Sequence, residues 1–286
     1  MIMRVRNLPL IEINKMNYLI HKFAESGMSS TMYGYVNDIA TYIALLCALL
    51  LGWRMGVKLW KQVILLAGVY FGMSGALGVI WSLVTYAEQK HFLGITSPVN
   101  SIVRVFVFVP LIVLPFALIL KVKWSLACDA IVMYPLVRSC LAQIACIFPG
   151  CCRGYVWEHG IYNVKTGGYH FPTQIIETVL TLLIIVYLLS VIKGKKYVSD
   201  GSLYPYMMIL YGIMRFACEM LRDNEKILFG ISAVAIHAIL IFAVGIIWML
   251  ILYRYKENDY EDSIQTLEAA EGETLQAGEG TEGAEA

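Results

Sequence analysis

YPYMMILYGIMRFACEMLRD, Tyr204 to Asp223, sets Arg215, Glu219 and Arg222 in a largely apolar run that ends at Asp223. At 1.5 Å per residue the run is long enough to cross about 30 Å of hydrocarbon. Arg215 and Glu219 are four apart and share a helix face, and Arg222, seven from Arg215, continues the stripe. Tyr204, Met208 and Tyr211 extend it along the same side. An ionisable group inside a membrane costs about 2.5–3.5 kcal/mol on insertion scales, so it faces a cavity or a partner. Two readings follow: an internal ion pair that holds helices together, or a basic pocket for an anion. Two arginines against one carboxylate leave one positive charge over, and phosphate matches guanidinium bidentately.

The rest of the chain supports a membrane setting. Of 286 residues 59% are hydrophobic and 15% charged, against about 45–50% and about 25% in soluble domains. Apolar runs long enough to span occur over 33–53, 62–87, 103–120, 125–148, 172–192, 202–221 and 229–252. The predicted fold is therefore all-α and polytopic, with about seven transmembrane helices. The third run carries Arg104 near its start and Pro110 and Pro115 inside. Such prolines are tolerated where neighbours satisfy the carbonyls they free. The predicted organisation is an N-terminal segment (1–31), a membrane domain (32–254) and an acidic tail (255–286). After Arg254 the chain has ten acidic residues and one base, Lys256, leaving 21 basic against 11 acidic side chains before it. A tail of Glu, Gly, Ala and Thr buries too little apolar surface to fold alone, so it reads as disordered. The first fifteen residues lack a signal-peptide pattern, which assigns targeting to the first span.

Charge alternates between the connections. Arg54, Lys58 and Lys61, then Lys121 and Lys123, then Lys193, Lys195 and Lys196, then Arg254 and Lys256 mark one side. The positive-inside rule makes that side cytoplasmic, with the N-terminus outside and the C-terminus inside. Arg4, Arg6, Lys15 and Lys22 run against this orientation, and four concordant connections outweigh them. Three polar groupings then meet at the outer membrane face: Cys146–Gly154, His170–Glu177 and Arg215–Arg222. Pro172 suits a helix start, and Gln174 and Glu177 share a face just inside it. On the opposite side Asp129 opens the fourth span, where a carboxylate suits a helix N-terminus. Arg138, near mid-membrane, needs a partner that the sequence does not name. A site at the outer leaflet points to a lipid or a secreted chain as substrate.

Several segments resemble the prolipoprotein diacylglyceryl transferase family. YGIMRFACEMLRDNE, Tyr211–Glu225, is similar to that family's Y-G-x-x-R-F-x-x-E-x-x-R-x-D-E segment. FPTQIIETVL, Phe171–Leu180, resembles its H-P-T-Q-L-Y-E. DAIVMYPLVRSCLAQIACIFPGCCRG matches its D-x-x-A-P followed by G-R-x-G-N-F-x-N-G-E-x-Y-G, at Asp129, Pro135, Gly150 and Gly154. The Gly-Cys-Cys variant marks a divergent member. MYGY, Met32–Tyr35, is similar to the Tyr-Gly that opens the family's first span. The resemblance covers about residues 30–253 and agrees with seven spans and an external N-terminus.

It implies a bacterial plasma-membrane enzyme of lipoprotein biosynthesis, with its site facing the outer leaflet. The implied reaction transfers a diacylglyceryl group from phosphatidylglycerol to the lipobox cysteine of a secreted precursor protein. The implied partners are those two and the surrounding membrane lipids, with no nucleic acid, cofactor or metal. Such chemistry asks for a deprotonated thiol and for cations that take the charge of the leaving phosphate. Arg215, Glu219 and Arg222 are the expected catalytic residues, with Glu219 orienting Arg215. Tyr33, Gln143, Cys146, Gly150, Arg153, Gly154, Gln174, Glu177 and Tyr211 are expected to bind substrate. Glu177, His159 and His170 are the candidate bases. This chain departs from the family pattern in five places. Gln143 stands for the family's arginine, Cys146 and Pro149 for its asparagines, and Ala76 for the arginine of a G-R-x-G. VRVFVFVPLIV replaces its His-Gly-Gly. These losses support an alternative, a lipid- or lipoprotein-binding relative without catalysis or a transferase with another acceptor.

CIFPGCCRG, Cys146–Gly154, admits four readings. Cys146, Cys151 and Cys152 with His159 as fourth ligand would make a metal site. Cys146 and Cys151 would pair in a disulfide on an oxidising outer side. A cysteine would act as nucleophile, although the family attacks with the substrate's thiol. The preferred reading is structural: Pro149 and Gly150 end the helix, and small side chains allow close packing. Gly154 would then let the backbone approach a headgroup.

Overall fold

The computed structural model describes residues 8–74, 105–193, 200–224, 226 and 230–256. Ala76, Arg104, the end of the second predicted span and the acidic tail beyond Lys256 lie outside the described residues. The helices are α1 (Leu8–Glu25), α2 (Ser29–Arg54), α3 (Leu59–Ser74), α4 (Val105–Ile119), α5 (Trp124–Ala130) and α6 (Met133–Ala145). A hairpin, β1 (Val156–Asn163) and β2 (Gly168–His170), precedes α7 (Thr173–Lys193) and α8 (Leu203–Met220). The last helix, α9, runs over Ala233–Lys256. Among the described residues, α2, the broken pair α5–α6 (Trp124–Ala145), α7 and α9 are long and apolar enough to cross a membrane. The chain is thus a largely helical, multi-pass membrane protein.

Its core follows from which helices turn apolar side chains outward. On α7, Val179, Leu182, Leu183 and Val186 are exposed, and on α9 so are Leu240, Ile247, Leu250 and Ile251. Exposed apolar faces of this kind suit lipid. The pair α5–α6 is buried along nearly its whole length. It packs between α2 and α7, and α7 packs on α8. Gly212 and Gly245 let α8 and α9 approach: a Cβ on Gly212 would lie 2.9 Å from Phe242 Cβ, and one on Gly245 3.0 Å from the Pro205 carbonyl.

The prolines of α4 show how the bundle repairs its own backbone. Pro110 has no N–H to donate to Phe106 O, four residues back. The Tyr204 hydroxyl, fully buried, donates to that carbonyl at 3.0 Å. Trp124 Nε1 donates to Pro110 O at 2.8 Å, and its ring stacks on Trp248 at 4.6 Å. Asp129 caps a helix, but not the one it was expected to open. Its Oδ1 accepts from the Tyr204 backbone N–H at 2.7 Å, so it caps α8 from inside α5. Arg138 finds its partner in Thr41 Oγ1, at 3.3 Å.

Among the described residues, a single two-stranded hairpin is added to the expected helical architecture. β1 and β2 pair antiparallel, with Tyr162 opposite Tyr169 and Asn163 opposite Gly168. Asn163 builds the turn: its Oδ1 accepts from the backbone N–H of Lys165 at 3.0 Å and of Thr166 at 3.2 Å. Gly160 is required, since a Cβ there would lie 2.0 Å from His170 O. Asn17 of α1 bonds the hairpin edge, accepting from Tyr162 N at 2.8 Å and donating to Gly160 O at 3.3 Å. Helix α1 and the hairpin therefore lie at one end of the bundle.

Tyr204→Phe is expected to leave the Phe106 carbonyl buried without a donor, at a cost of about 1–3 kcal/mol. Unfolding of the detergent-solubilised protein would measure it, and an unchanged midpoint would remove this bond from the account.

Candidate active site

Three helices each bring polar groups to the end of the bundle beneath the hairpin. From α6 comes Gln143, from α7 Glu177, and from α8 Arg215 and Glu219, with Arg222 just past its last turn. All five are buried, with both glutamates fully so. Arg215 Nη1 and Arg222 Nη2 both hydrogen-bond Glu177 Oε2 in short contacts. Gln143 Nε2 donates to Glu177 Oε1 at 2.9 Å, and Gln143 Oε1 accepts from Arg222 Nη2 at 3.3 Å. Glu219 Oε2 lies 3.8 Å from Arg215 Nη2 and 3.6 Å from Arg222 Nη1. Its other oxygen accepts from Ser232 Oγ at 2.8 Å and from Asn224 Nδ2 in a short contact.

This arrangement overturns the expected excess of positive charge. Glu177 enters between the arginines from another helix, so two cations face two carboxylates. It also changes the role expected of Glu219, because the closer partner of both guanidinium groups is Glu177. Burying four charges is tolerable only when each is paired. The pairing is incomplete: among the described residues, Arg215 Nε and Arg222 Nε are buried donors and Glu219 Oε2 a buried acceptor with no hydrogen-bond partner. Such donors are rare in folded proteins and call for an explanation.

The loop after α6 forms the roof. The helix stops at Ala145 with Cys146 as its cap, so Pro149 and Gly150 do not end it as expected; Gly150, at φ +69°, closes the run of turns that follows in the left-handed conformation that glycine favours. Gly154 forms an antiparallel bridge with Arg222, and Tyr155 N donates to Leu221 O at 3.2 Å. A Cβ on Gly154 would lie 2.7 Å from Phe171 O, so only glycine fits. Arg153 lies 3.6 Å from Asp223, outside the buried group. Gln174, at the start of α7, donates to Cys151 O at 2.8 Å rather than entering the charge cluster. Tyr211 lies one turn below Arg215, bonded to Ser139 Oγ at 2.6 Å and stacked on Phe106 at 4.1 Å. Tyr33, on α2, is half-exposed and within electrostatic reach of Cys146, Cys151 and Cys152.

The other two candidate bases stand apart from this centre. His170 is committed to the roof, with Nδ1 2.8 Å from Gly154 O and Nε2 2.8 Å from Thr166 Oγ1. His159 is exposed on the hairpin with its ring against Trp157, and it does not join the cysteines. All seven cysteines are free thiols, so the Cys146–Cys151 disulfide, one of the alternative readings, is not formed. Cys146, Cys151 and Cys152 do converge, their Sγ atoms all within 4.8 Å of one another. Hydrogen bonds from the Cys146 and Cys151 thiols, helped by the charges of Arg222 and Arg215, hold the Cys152 thiol well below its usual range. Cys151 moves oppositely. A bond with Cys146 lowers it, but neighbouring Cys152 and burial push it up to about 12.

Ser139, Ser232 and Asn224 were not singled out in the sequence. Ser139 lies four residues before Gln143, on the same helix face, which is a legible signal. Ser232 gives none, because it is an isolated polar residue near a helix start, whereas Asn224 lies inside the quoted Tyr211–Glu225 segment without being distinguished from its polar neighbours.

Sequence comparison agrees with this geometry. The family model of prolipoprotein diacylglyceryl transferase matches residues 22–251. A phosphatidylglycerol–prolipoprotein diacylglyceryl transferase of Campylobacter lari is 34% identical over 104 residues, 35% of this chain and 37% of that protein. That of Streptococcus uberis is 28% identical over 94 residues, 33% of this chain and 36% of the relative. That of Tropheryma whipplei is 29% identical over 132 residues, 42% and 48% respectively. The chain thus spans about a third to a half of the length of these curated relatives. The match of the family model runs through all the helices that build the charged centre, and by it the chain belongs to the prolipoprotein diacylglyceryl transferase family.

Proposed function

We propose that this protein transfers a diacylglyceryl group from phosphatidylglycerol to the cysteine thiol of a lipobox in a secreted precursor. The observation that carries the reading is the pair of buried arginines sharing Glu177, each with a guanidinium Nε–H left over. In the proposed reaction the acceptor sulfur attacks the glyceryl carbon that bears the phosphate. The S–C bond forms, the C–O bond breaks, and glycerol phosphate leaves with the bonding electron pair. Glu177 takes the thiol proton. Once neutral, it holds the arginines less strongly, and their charge becomes available to the leaving phosphate. Proton removal and anion stabilisation are then coupled through one carboxylate. Glu219, bonded to Ser232 and Asn224, keeps the arginines in place. Tyr33, Gly150, Arg153 and Gly154 belong to the proposed surface for the headgroup, and Gln143, Cys146, Gln174 and Tyr211 support it.

The membrane arrangement belongs to the same proposal. Seven spans place the N-terminus outside and the acidic tail in the cytoplasm, with the site open to the outer leaflet of a bacterial plasma membrane. The chain then divides into an outer segment (1–31), a membrane domain (32–254) and a disordered tail (255–286). The support is the alternation of basic connections and the position of α1, the hairpin and the cysteine loop at one end of the bundle.

One observation favours a second reading, a lipid-binding relative without catalysis: Glu177 already neutralises the arginines, as a structural ion cluster would. Transfer of label from radiolabelled phosphatidylglycerol to a lipobox peptide separates the two. Transfer supports the enzyme, and binding of the lipid without transfer supports the relative. Arg215→Ala is expected to abolish transfer, and full activity in that variant would overturn the site. Glu177→Gln is expected to lower the rate by about 10²–10⁴-fold, the usual contribution of a general base. Gly154→Ala, which drives a Cβ against Phe171 O, is expected to abolish transfer by displacing Arg222 from the roof. A fully active Gly154→Ala protein would show that the bridge does not position Arg222.

A further inference from the structure

Three consecutive carbonyls of the cysteine loop are tied down from outside. Gly150 O accepts from Asn163 Nδ2 at 2.9 Å, Cys151 O from Gln174 Nε2 at 2.8 Å, and Cys152 O from Thr173 Oγ1 at 2.8 Å. The donors come from the hairpin turn and from the first turn of α7. With the backbone fixed, the side chains of Cys146, Cys151 and Cys152 are driven together, and their Sγ atoms lie within 4.8 Å of one another. Cys152 holds φ 58°, a left-handed conformation that a non-glycine residue adopts only when its surroundings enforce it. Turning the chain does not require a thiol there, because Gly150 already makes the bend at φ +69°.

We propose that Cys146, Cys151 and Cys152 are a three-thiolate site for a thiophilic divalent cation of the zinc type, whose fourth position receives the thiol of the acceptor. Thiolates select soft or borderline ions, and the oxygen ligands that calcium and magnesium require are absent from the trio. Zn–S bonds of about 2.3 Å in tetrahedral geometry set sulfurs about 3.8 Å apart, so the trio closes by side-chain rotations of about 1 Å. Among the described residues no histidine or carboxylate joins the group. Three protein ligands with a fourth, exchangeable position are the arrangement of catalytic rather than structural zinc. The carbonyl anchors from Asn163, Gln174 and Thr173 supply the outer support that such sites need. Gly154, two residues beyond Cys152, bridges to Arg222, so the loop that carries the trio borders the buried arginines.

The second half of this proposal rests on the transferase reading. Binding of the cation releases the protons of the three thiols to solvent. The acceptor thiol becomes the fourth ligand and passes its own proton to Glu177 or to solvent. Its sulfur is then held as a thiolate beside the arginines that bind the phosphate. The S–C bond forms, the C–O bond breaks, and no electron is gained or lost by any redox partner. The cation would hold the acceptor sulfur as a thiolate by coordination, beside the proton removal proposed for Glu177.

The test uses the full chain purified in detergent without chelator. Elemental analysis is expected to find about one zinc per chain. Cobalt reconstitution is expected to give thiolate-to-cobalt charge-transfer absorption and tetrahedral visible bands. Cys146→Ser, Cys151→Ser and Cys152→Ser should each weaken metal binding at least tenfold, with thermal unfolding by circular dichroism showing that the variants fold. A lipobox peptide with cysteine should strengthen the charge-transfer band, and the same peptide with serine should not. Failure to bind metal, a cobalt spectrum without thiolate bands, or metal binding indifferent to all three substitutions overturns the site. A stable disulfide within the trio, read as two thiols fewer than the chain's seven cysteines, also overturns it. A thiolate spectrum that the cysteine peptide leaves unchanged overturns the acceptor's place on the cation. Metal and peptide signals without label transfer from phosphatidylglycerol uphold the site and overturn the transferase reading instead.

Discussion

One carboxylate, Glu177, holds two guanidinium groups out of water. Breaking a buried ion pair by removing one partner costs about 3–5 kcal/mol, because the remaining charge is left uncompensated. Glu177 has two such partners, so the helices that carry the three residues are not free to shift separately. The consequence reaches beyond stability. Helix α7 must present Glu177 at a fixed depth, and its first turn, through Thr173 and Gln174, is the turn that anchors the cysteine loop. Arg222 bridges to Gly154 in that same loop. Charge pairing in the bundle and the conformation of the roof are therefore one constraint.

The interior is balanced, and this balance changes how an anion enters. A pocket with spare positive charge would attract phosphate by simple attraction. Here phosphate competes with Glu177 for the same donors, and it gains when that carboxylate takes a proton. The unpaired Arg215 Nε and Arg222 Nε give the anion a first foothold. A surface ion pair would behave differently, since screening and mobility leave it worth only about 0–1 kcal/mol.

Much of the bundle was legible in the sequence because apolar run length and helical spacing are strong signals. The stripe of Arg215, Glu219 and Arg222 was readable from spacing alone, as was the tolerance of Pro110. What spacing within one helix does not carry is the partner that arrives from another. The place of Glu177 between the arginines was invisible for that reason, and so was the capping of α8 by Asp129. The hairpin was present in the sequence but outweighed by the helical pattern around it. The segment from Val156 to His170 is rich in β-branched and aromatic residues and has a Gly-Gly pair at its turn, which are strand signals. The convergence of three cysteines was visible as composition, while their geometry required the anchors from Asn163, Gln174 and Thr173.

Competition between Glu177 and phosphate is testable without turnover. Titration of glycerol phosphate into the detergent-solubilised protein, followed by calorimetry, compares the native chain with Glu177→Gln at constant pH. The glutamine keeps the shape and removes the charge, so the account predicts binding tighter by about tenfold, or about 1.4 kcal/mol. Equal or weaker binding by a folded Glu177→Gln protein would contradict the competition and leave the buried network as packing alone.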